Sequence, residues 1–288
     1  MPLVTTGALL AAHWAVGAFN AVQLDHLTAI IDGAARAGRP VVVQISENTV
    51  RYHGGVAPLL AAAVAAASAA PVPVAVHLDH VTSADLVRAA VELGAGSVMF
   101  DASTLPYGEN VAATAEVAAW CHERGVWVEA ELGEVGGKDG VHAPGARTRP
   151  AEAVAYVAAT GVDALAVAVG TSHAMLTRDA VLDLGLIAAL AADVPVPLVL
   201  HGSSGVPDRL LTAAVAAGMR KINIATQLNK VFTAAVRDAL AADPALVDTR
   251  GYLRPARAAM AAEAARLLGV LADGEDARTA PGAKVREN

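Results

Sequence analysis

The chain is poor in cysteine, in aromatic residues and in long apolar runs. Its 288 residues include one cysteine, Cys121, which excludes an internal disulfide bond and a cysteine-rich metal site. Aromatic residues make up 3% of the chain although 55% of it is apolar, so the apolar surplus lies in alanine-rich segments that favour helices. Segments such as residues 59–71 are too short to cross a bilayer. Because the N-terminus carries no basic signal-peptide region, we expect a soluble cytoplasmic protein with no membrane partner.

Positive charge is also scarce. The chain has 21 lysine and arginine residues against 28 aspartate and glutamate residues, which gives a formal net charge of −7. Since the basic residues form no cluster in the sequence, the composition argues against a nucleic-acid partner. A small phosphorylated ligand stays compatible with it, because backbone N–H groups and one or two arginines can bind a phosphate whatever the total charge.

What the sequence does contain is a repeating pattern of short apolar runs. Eight such runs alternate with alanine-rich helical segments. This pattern predicts an α/β protein, a (β/α)8 TIM barrel with an additional C-terminal helix, and a doubly wound open sheet is the alternative. We expect a single domain over residues 1–272 and a flexible tail over residues 273–288. The runs are AVGAF (15–19), PVVVQIS (40–46), PVAVHLDH (73–80), GSVMFDAS (96–103), VWVEAELG (126–133), DALAVAVGTSH (163–173), VPLVLHGSSG (196–205) and KINIAT (221–226).

Polar residues collect at only one end of these predicted strands. In a TIM barrel the functional side chains lie at the carboxyl ends of the strands, whereas a simple boundary with solvent would place polar residues at both ends. The runs begin mostly with small or apolar residues, so the asymmetry predicts a functional carboxyl rim. The polar residues at that rim are Asn20, Ser46, Asp79, His80, Asp101, Glu129, Glu131, His173, His201, Asn223 and Thr226.

Three of the nine histidines end predicted strands: His80, His173 and His201 belong to the third, sixth and seventh runs. Three imidazoles from different strands, with one coordination position left open, are typical of a catalytic Zn²⁺ site. Asp79 precedes the first of them, and an acid beside a metal that it does not bind is a candidate proton carrier. Consecutive residues on an ideal strand face opposite ways, so both reach one pocket only because the strand ends there. His77 is interpreted as a hydrogen-bonded core residue.

Small residues follow the seventh predicted strand, in VLHGSSGV (199–206), and KINIAT forms the eighth. In TIM barrels the loops after these two strands are the usual phosphate site, because backbone N–H groups can surround a phosphate only where side chains are small. A Gly/Ser loop alone is most often a turn. Its position beside His201 favours a phosphate site.

Taken together, several motifs resemble the class II, metal-dependent ketose-bisphosphate aldolases, which include fructose- and tagatose-bisphosphate aldolases. The resemblance runs from about residue 5 to residue 270 and is carried in order by GAFN, HLDH, SVMFDAS, VEAELGEVGG, LAVAVGTSH, PLVLHGSSGVPD, KINIAT and GYLRPARAAM. It implies zinc-dependent, reversible cleavage of a ketose phosphate such as fructose or tagatose 1,6-bisphosphate to dihydroxyacetone phosphate and an aldehyde such as glyceraldehyde 3-phosphate. It also implies a homodimer or homotetramer and a monovalent cation near the phosphate.

The same resemblance implies a role for each site residue. His80, His173 and His201 would bind Zn²⁺ (or another divalent metal), and Asp79 would be the acid/base group. Asp101 and Glu131 would lie around the metal or at an alternative metal position, and Asn20, Ser46 and Asn223 would contact the substrate. The phosphate of the dihydroxyacetone half would be bound by Gly202, Ser204, Ala225 and Thr226. Arg250 would reach the far phosphate across a subunit boundary.

The sequence departs from that family at two loops. The stretch GGKDG (136–140) is shorter and poorer in acids than the corresponding family loop, so the group that protonates the carbanion is not identified, and Glu134 and Asp139 are the candidates. Ala174 and Thr177 stand where the family has a glycine and a lysine, which is expected to alter phosphate binding.

Other functions fit parts of the sequence. A Schiff-base aldolase would use Lys221 but would leave the three rim histidines unexplained. A non-catalytic sugar-phosphate-binding or partner subunit fits the altered loops, although the presence of Asp79 and all three histidines argues against it. An aldolase for a different phosphorylated ketose stays open. A metal-dependent hydrolase on the same barrel would need a histidine pair on the first strand, and AVGAFN has none.

Overall fold

Nine parallel strands form the sheet in the part of the chain that the structure describes. The computed structural model describes residues 2–132, 147–173 and 175–279. The strands are β1 (Leu3–Val4), β2 (Val16–Asn20), β3 (Val41–Ser46), β4 (Val74–Val81), β5 (Ser97–Phe100), β6 (Trp127–Glu131), β7 (Ala164–Ala166), β8 (Leu198–Leu200) and β9 (Met219–Ile224). Each strand from β2 to β9 pairs with the next, and β9 pairs back with β2. This closed eight-stranded barrel confirms the predicted TIM-barrel fold.

Helices connect the strands and cover the outside of the barrel. Ser83 accepts a hydrogen bond from the N–H of Leu86 and so caps the fifth helix at the predicted position. Within the described ranges, no helix has the length and apolarity needed to span a membrane. The helices are α1 (Thr6–Ala12), α2 (Leu24–Ala37), α3 (Glu47–Tyr52), α4 (Ala57–Ser68), α5 (Ala84–Glu92), α6 (Tyr107–His122), α7 (Pro150–Thr160), α8 (Leu184–Asp193), α9 (Asp208–Ala217), α10 (Thr226–Ala242) and α11 (Thr249–Thr279).

The strands are apolar on both faces because both faces exclude water. In β3, which reads VVVQIS, every residue before Ser46 is buried. One face of a barrel strand packs against the helical layer and the other fills the barrel interior, so the usual alternation of apolar and polar residues is absent. Gln44 is the polar exception in this strand, and its side chain is fully buried.

The amino end of the barrel is closed by α1. The hydroxyl groups of Thr6 and Ser97 are 2.6 Å apart and join this helix to the start of β5. Gly7 lies so close to Trp127 that a Cβ atom there would come within 2.9 Å of the indole. An apolar cluster completes the closure, and its buried members are Leu9, Leu10, Val16, Ala18, Val42 and Ala75.

The long C-terminal helix α11 packs against α2, α9 and α10, as the predicted additional helix. The sequence placed the start of a flexible tail at residue 273, but the helix continues through Thr279. The reason is Glu275, whose carboxylate accepts a hydrogen bond from the N–H of Ala15 at 2.8 Å and forms an ion pair with Arg39. Residues 280–288 of the predicted tail lie outside the described residues.

Candidate active site

A pocket of about 410 Å³ opens at the carboxyl ends of the barrel strands. All ten of its lining residues were predicted from the sequence as site residues. Four other predicted residues do not line it, namely Ser46, Asp101, Glu131 and Arg250. The lining residues are Asn20, Asp79, His80, His173, His201, Gly202, Ser204, Asn223, Ala225 and Thr226.

Asp79 and His80 are consecutive, yet both line the pocket. The pairing of β4 with β5 shifts in register between Leu78 and Val81, so the regular alternation of side chains is interrupted there. His80 has φ +50°, the only positive φ of a non-glycine residue in the described part of the chain. This left-handed backbone turns the imidazole to the same side as the preceding carboxylate, at a cost of about 1–3 kcal/mol.

Two loops pack backbone against backbone to place His173 beside His201. His201 follows β8 directly, whereas His173 lies seven residues beyond the end of β7. Gly202 has φ +67°, and a Cβ atom at this position would be 2.5 Å from the carbonyl oxygen of Ser172. Only glycine permits this close approach, so Gly202 holds the two histidine-bearing loops together.

The three imidazoles converge on one point. The Nδ1 atom of His201 is 3.0 Å from Nε2 of His80 and 3.4 Å from Nε2 of His173, and one ring nitrogen of each lies within 4.8 Å of the others. Burial, followed by the neighbouring imidazoles, holds the pKa of His201 well below its ordinary value, so its ring is neutral and able to coordinate a metal. Three facing imidazole nitrogens are a donor set that suits Zn²⁺.

A second set of possible ligands shares His80. The Nδ1 atom of His80 is 2.7 Å from Oδ2 of Asp101, and both can join Glu131 in a group whose ligand atoms lie within 4.8 Å of one another. The other oxygen of Asp101 accepts hydrogen bonds from the N–H and the hydroxyl of Ser103. This geometry is compatible with either predicted role of the two acids, as outer neighbours of the metal or as an alternative metal position.

One oxygen of the Asp79 carboxylate is hydrogen-bonded, and the other is buried without a partner among the described residues. Asn20 donates a hydrogen bond to its Oδ2 at 2.8 Å, and Gln44 in turn donates to the amide oxygen of Asn20 at 3.0 Å. The other oxygen, Oδ1, has no hydrogen-bond partner among the described residues. Burial opposes ionisation, but the nearby His80, His201 and Lys221 and the amide of Asn20 outweigh it, so the pKa of Asp79 lies below its ordinary value. The group is therefore a carboxylate that can accept a proton.

The start of α10 forms part of the pocket wall. The hydroxyl oxygen of Ser204 accepts hydrogen bonds from the N–H groups of Ala225 and Gln227, at 3.2 and 3.1 Å. Thr226 is the first residue of the helix, and backbone N–H groups at such an end favour anions. This wall is suited to a phosphate.

The structure corrects the predicted place of Glu129, which the sequence put at the rim, and adds a role for Lys221, which was considered only for a Schiff base: both lie in a charged layer below the pocket. Glu129 and Lys221 are fully buried, do not line the pocket, and form an ion pair at 2.8 Å. Each lies two residues before a rim residue, Glu131 and Asn223 respectively, so the strand period of two places it on the same inward face one layer deeper. In the sequence, each of the two is a charged residue within an apolar run, two positions before a polar residue at the strand end. That spacing was the signal for a charged layer below the rim. The burial of Lys221 outside the pocket lining also disfavours the Schiff-base alternative.

Some predicted residues are not brought to the pocket. Ser46 faces Asp79 across the β3–β4 ladder, and its hydroxyl caps α3 by accepting from the N–H of Thr49. Arg250 is exposed and pairs with Asp248 at 2.7 Å, so its role across a subunit boundary stays a prediction.

The loops that depart from the family are only partly described. The loop candidates Glu134 and Asp139, and Ala174, lie outside the described residues. Arg178, next to Thr177, donates hydrogen bonds to the carbonyl of Val206 and to Asp208, so its guanidinium is used in packing outside the pocket.

Comparisons with known proteins identify the family of the chain. The family model for fructose-bisphosphate aldolase class II matches residues 7–275. The YdjI aldolase of Escherichia coli K12 is 29% identical, with a TM-score of 0.80 over 96% of this chain and 99% of that one. A Coccidioides immitis protein assigned as a fructose-1,6-bisphosphate aldolase is 27% identical, with a TM-score of 0.83 over 96% and 98% of the two chains. The fructose-bisphosphate aldolase of Campylobacter jejuni, 20% identical, shares the fold with a TM-score of 0.74 over 94% and 95%. The chain therefore belongs to the class II fructose-bisphosphate aldolase family of carbon–carbon lyases.

Proposed function

We propose that this enzyme cleaves fructose or tagatose 1,6-bisphosphate with a zinc ion held by His80, His173 and His201. The observation that carries the proposal is that Asp79, whose Oδ1 has no hydrogen-bond partner among the described residues, lines the same pocket as three converging imidazoles. When bound, the zinc ion would supply positive charge that stabilises the negative charge developing on the departing three-carbon unit.

Asp79 would act as the base. It takes the proton of the C4 hydroxyl as the C3–C4 bond breaks, which releases glyceraldehyde 3-phosphate, and it returns that proton in the synthetic direction. The hydrogen bond from Asn20 to Oδ2 fixes the carboxylate, and Oδ1 has no partner among the described residues and stays available for the proton. The three-carbon unit takes up one proton at C3 to become dihydroxyacetone phosphate, and Glu134 or Asp139 is proposed as its donor.

The wall formed by Gly202, Ser204, Ala225 and Thr226 would bind the phosphate of the dihydroxyacetone half. The backbone N–H groups that now donate to Ser204 would turn to the phosphate oxygens, assisted by a monovalent cation. We propose that Asn223 and Ser46 contact the sugar. Arg250 would reach the far phosphate from a neighbouring copy in a homodimer or homotetramer.

The test is an assay of metal-stripped protein, before and after addition of zinc, on fructose 1,6-bisphosphate, tagatose 1,6-bisphosphate and fructose 1-phosphate, with release of dihydroxyacetone phosphate as the readout. We expect one of the bisphosphates to be cleaved only when zinc is present. Cleavage that survives chelation and is trapped by borohydride would overturn the proposal. Exclusive use of the monophosphate would instead identify a different phosphorylated ketose as the substrate.

A further inference from the structure

A buried ion pair lies directly beneath the proposed metal centre. Glu129 and Lys221 are both fully buried, and their charged groups are 2.8 Å apart. Removing two charges from water is costly, and apolar residues of similar size often serve stability equally well. Neither residue lines the pocket, so the pair has no direct place in the proposed chemistry. Its contacts with His201 point to a different use.

Glu129 and Asn223 make competing demands on one ring nitrogen. The Nε2 atom of His201 is 2.9 Å from Oε1 of Glu129 and 3.0 Å from Nδ2 of Asn223. A carboxylate only accepts, so the first contact is a hydrogen bond only when Nε2 carries the hydrogen. The amide nitrogen only donates, so the second is a hydrogen bond only when Nε2 is bare. The two contacts therefore favour opposite tautomers of His201.

The contacts of Nδ1, on the other side of the ring, decide which tautomer of His201 forms. The Nδ1 atom of His201 faces Nε2 of His80 and Nε2 of His173, at 3.0 and 3.4 Å. A metal in this position needs Nδ1 bare, which leaves the hydrogen on Nε2 and makes Glu129 the acceptor. The ring of His80 follows the same rule, with Nε2 inward and Nδ1 against the carboxylate of Asp101 at 2.7 Å.

Lys221 orients both groups that contact Nε2 of His201. Its ammonium group donates to Oε2 of Glu129 and to Oδ1 of Asn223, at 2.8 and 3.0 Å. The first bond leaves Oε1 directed at His201, and the second holds the amide of Asn223 by its oxygen. On the far side, Nε2 of His77 lies 3.9 Å from the same Oε2.

We propose that Glu129, held by Lys221, is a positioning residue that fixes the Nε2–H tautomer of His201 and so presents Nδ1 to the metal. This inference rests on the proposed function, because it assumes a metal on the three histidines. A carboxylate behind a ligating histidine raises the basicity of the ligand and fixes its ring, and its loss typically weakens metal affinity by about 10- to 100-fold.

The test uses two variants and two readouts. Glu129→Gln places an amide next to Lys221, which draws the amide oxygen to itself and turns the NH₂ group toward His201. The double variant Glu129→Met/Lys221→Met removes both buried charges at similar volume and leaves Nε2 of His201 without its carboxylate acceptor. The readouts are zinc affinity, from competition with a chromogenic chelator, and the tautomer of His201 in metal-free protein, from ¹⁵N shifts assigned by comparison with His201→Gln.

We expect both variants to bind zinc about 10- to 100-fold more weakly, and His201 of Glu129→Gln to carry the hydrogen on Nδ1. The double variant should unfold at a urea concentration close to that of the unmodified protein. The matched control is Glu47→Gln, which changes another buried carboxylate, one that is bonded to Arg51 and Thr82, and it should keep both properties. Unchanged zinc affinity in the double variant, or an Nδ1–H tautomer in the unmodified protein, would overturn the inference. Failure of the unmodified protein to bind zinc would overturn the proposed function instead, and the tautomer would still decide the inference.

Discussion

The two ends of the barrel are built on opposite principles. At the amino end, α1 closes the barrel with an apolar cluster and with the hydrogen bond between Thr6 and Ser97. At the carboxyl end, the backbone of His80 is left-handed and Oδ1 of Asp79 has no partner in the described part of the chain. Unpaired buried polar atoms and unfavourable backbone conformations both cost stability. The closed end therefore supplies stability that offsets the cost of groups kept ready for a ligand at the open end.

The largest expected effect is a loss of activity without a loss of stability when a residue at the carboxyl end of the barrel is changed. Asp79→Asn keeps the shape of the side chain and an acceptor for Asn20, but removes the proposed base, so kcat should fall by about 10²- to 10⁴-fold. Bound metal, measured by elemental analysis, and the urea midpoint should change little. The control is Asp85→Asn on the exposed face of α5, which should keep full activity. Full turnover by the Asp79 variant would contradict the contrast between the two ends.

At the closed end the pattern should reverse. Leu9 is 2% exposed within the apolar cluster under the barrel, so Leu9→Ala should lower the free energy of unfolding by about 2–5 kcal/mol. Urea unfolding measures the loss, and the kcat of the folded fraction should not change. A large loss of kcat with unchanged stability would mean that the amino end contributes to activity and not to stability alone.

A smaller effect should appear when pH falls, because the open end is supported by a buried histidine. His26 is 5% exposed, accepts a hydrogen bond from the N–H of Val22 just beyond β2, and packs on Phe232. Burial lowers its pKa from 6.5 to about 4. Between these values the unfolded chain binds more protons than the folded one, so the free energy of unfolding decreases as pH falls from about 6.5 to about 4, by up to about 3 kcal/mol.

The matched variant for this effect is His26→Asn, which keeps an acceptor for Val22 but does not titrate in this range. Urea unfolding at about pH 7 and about pH 4.5 should show a smaller loss of stability for the variant than for the unmodified protein. Equal losses in the two proteins would remove His26 as the cause.

The smallest expected effect lies at the junction of α11 with the amino end. Glu275→Gln keeps an acceptor for the N–H of Ala15 but loses the ion pair with Arg39, so the free energy of unfolding should fall by about 1 kcal/mol. The exposed neighbour Asp276, changed to Asn, is the control and should have no effect. Loss of activity in the Glu275 variant would show that the two ends are coupled.

The sequence predicted those features of the two barrel ends that depend on the periodicity of apolar and polar residues. Eight apolar runs predicted eight strands, and polar residues at one end of the runs predicted seven of the ten residues that line the pocket. The other three, Gly202, Ser204 and Ala225, were assigned by the family resemblance. Periodicity could not predict the backbone of His80, because the left-handed turn depends on the register shift between β4 and β5. It also missed the pairing of Glu129 with Lys221, since their strands β6 and β9 are not neighbours and the two side chains meet only across the closed barrel. The extent of α11 depended likewise on a distant contact, that of Glu275 with Ala15.

The convergence of three histidines on one metal is the central claim, and anomalous diffraction at the zinc absorption edge tests it most directly. For crystals of the zinc-loaded protein, we predict one dominant peak at about 2.0–2.1 Å from Nε2 of His80, Nε2 of His173 and Nδ1 of His201. A peak that lies on carboxylates away from His201, or no peak at the carboxyl end of the barrel, would contradict the account.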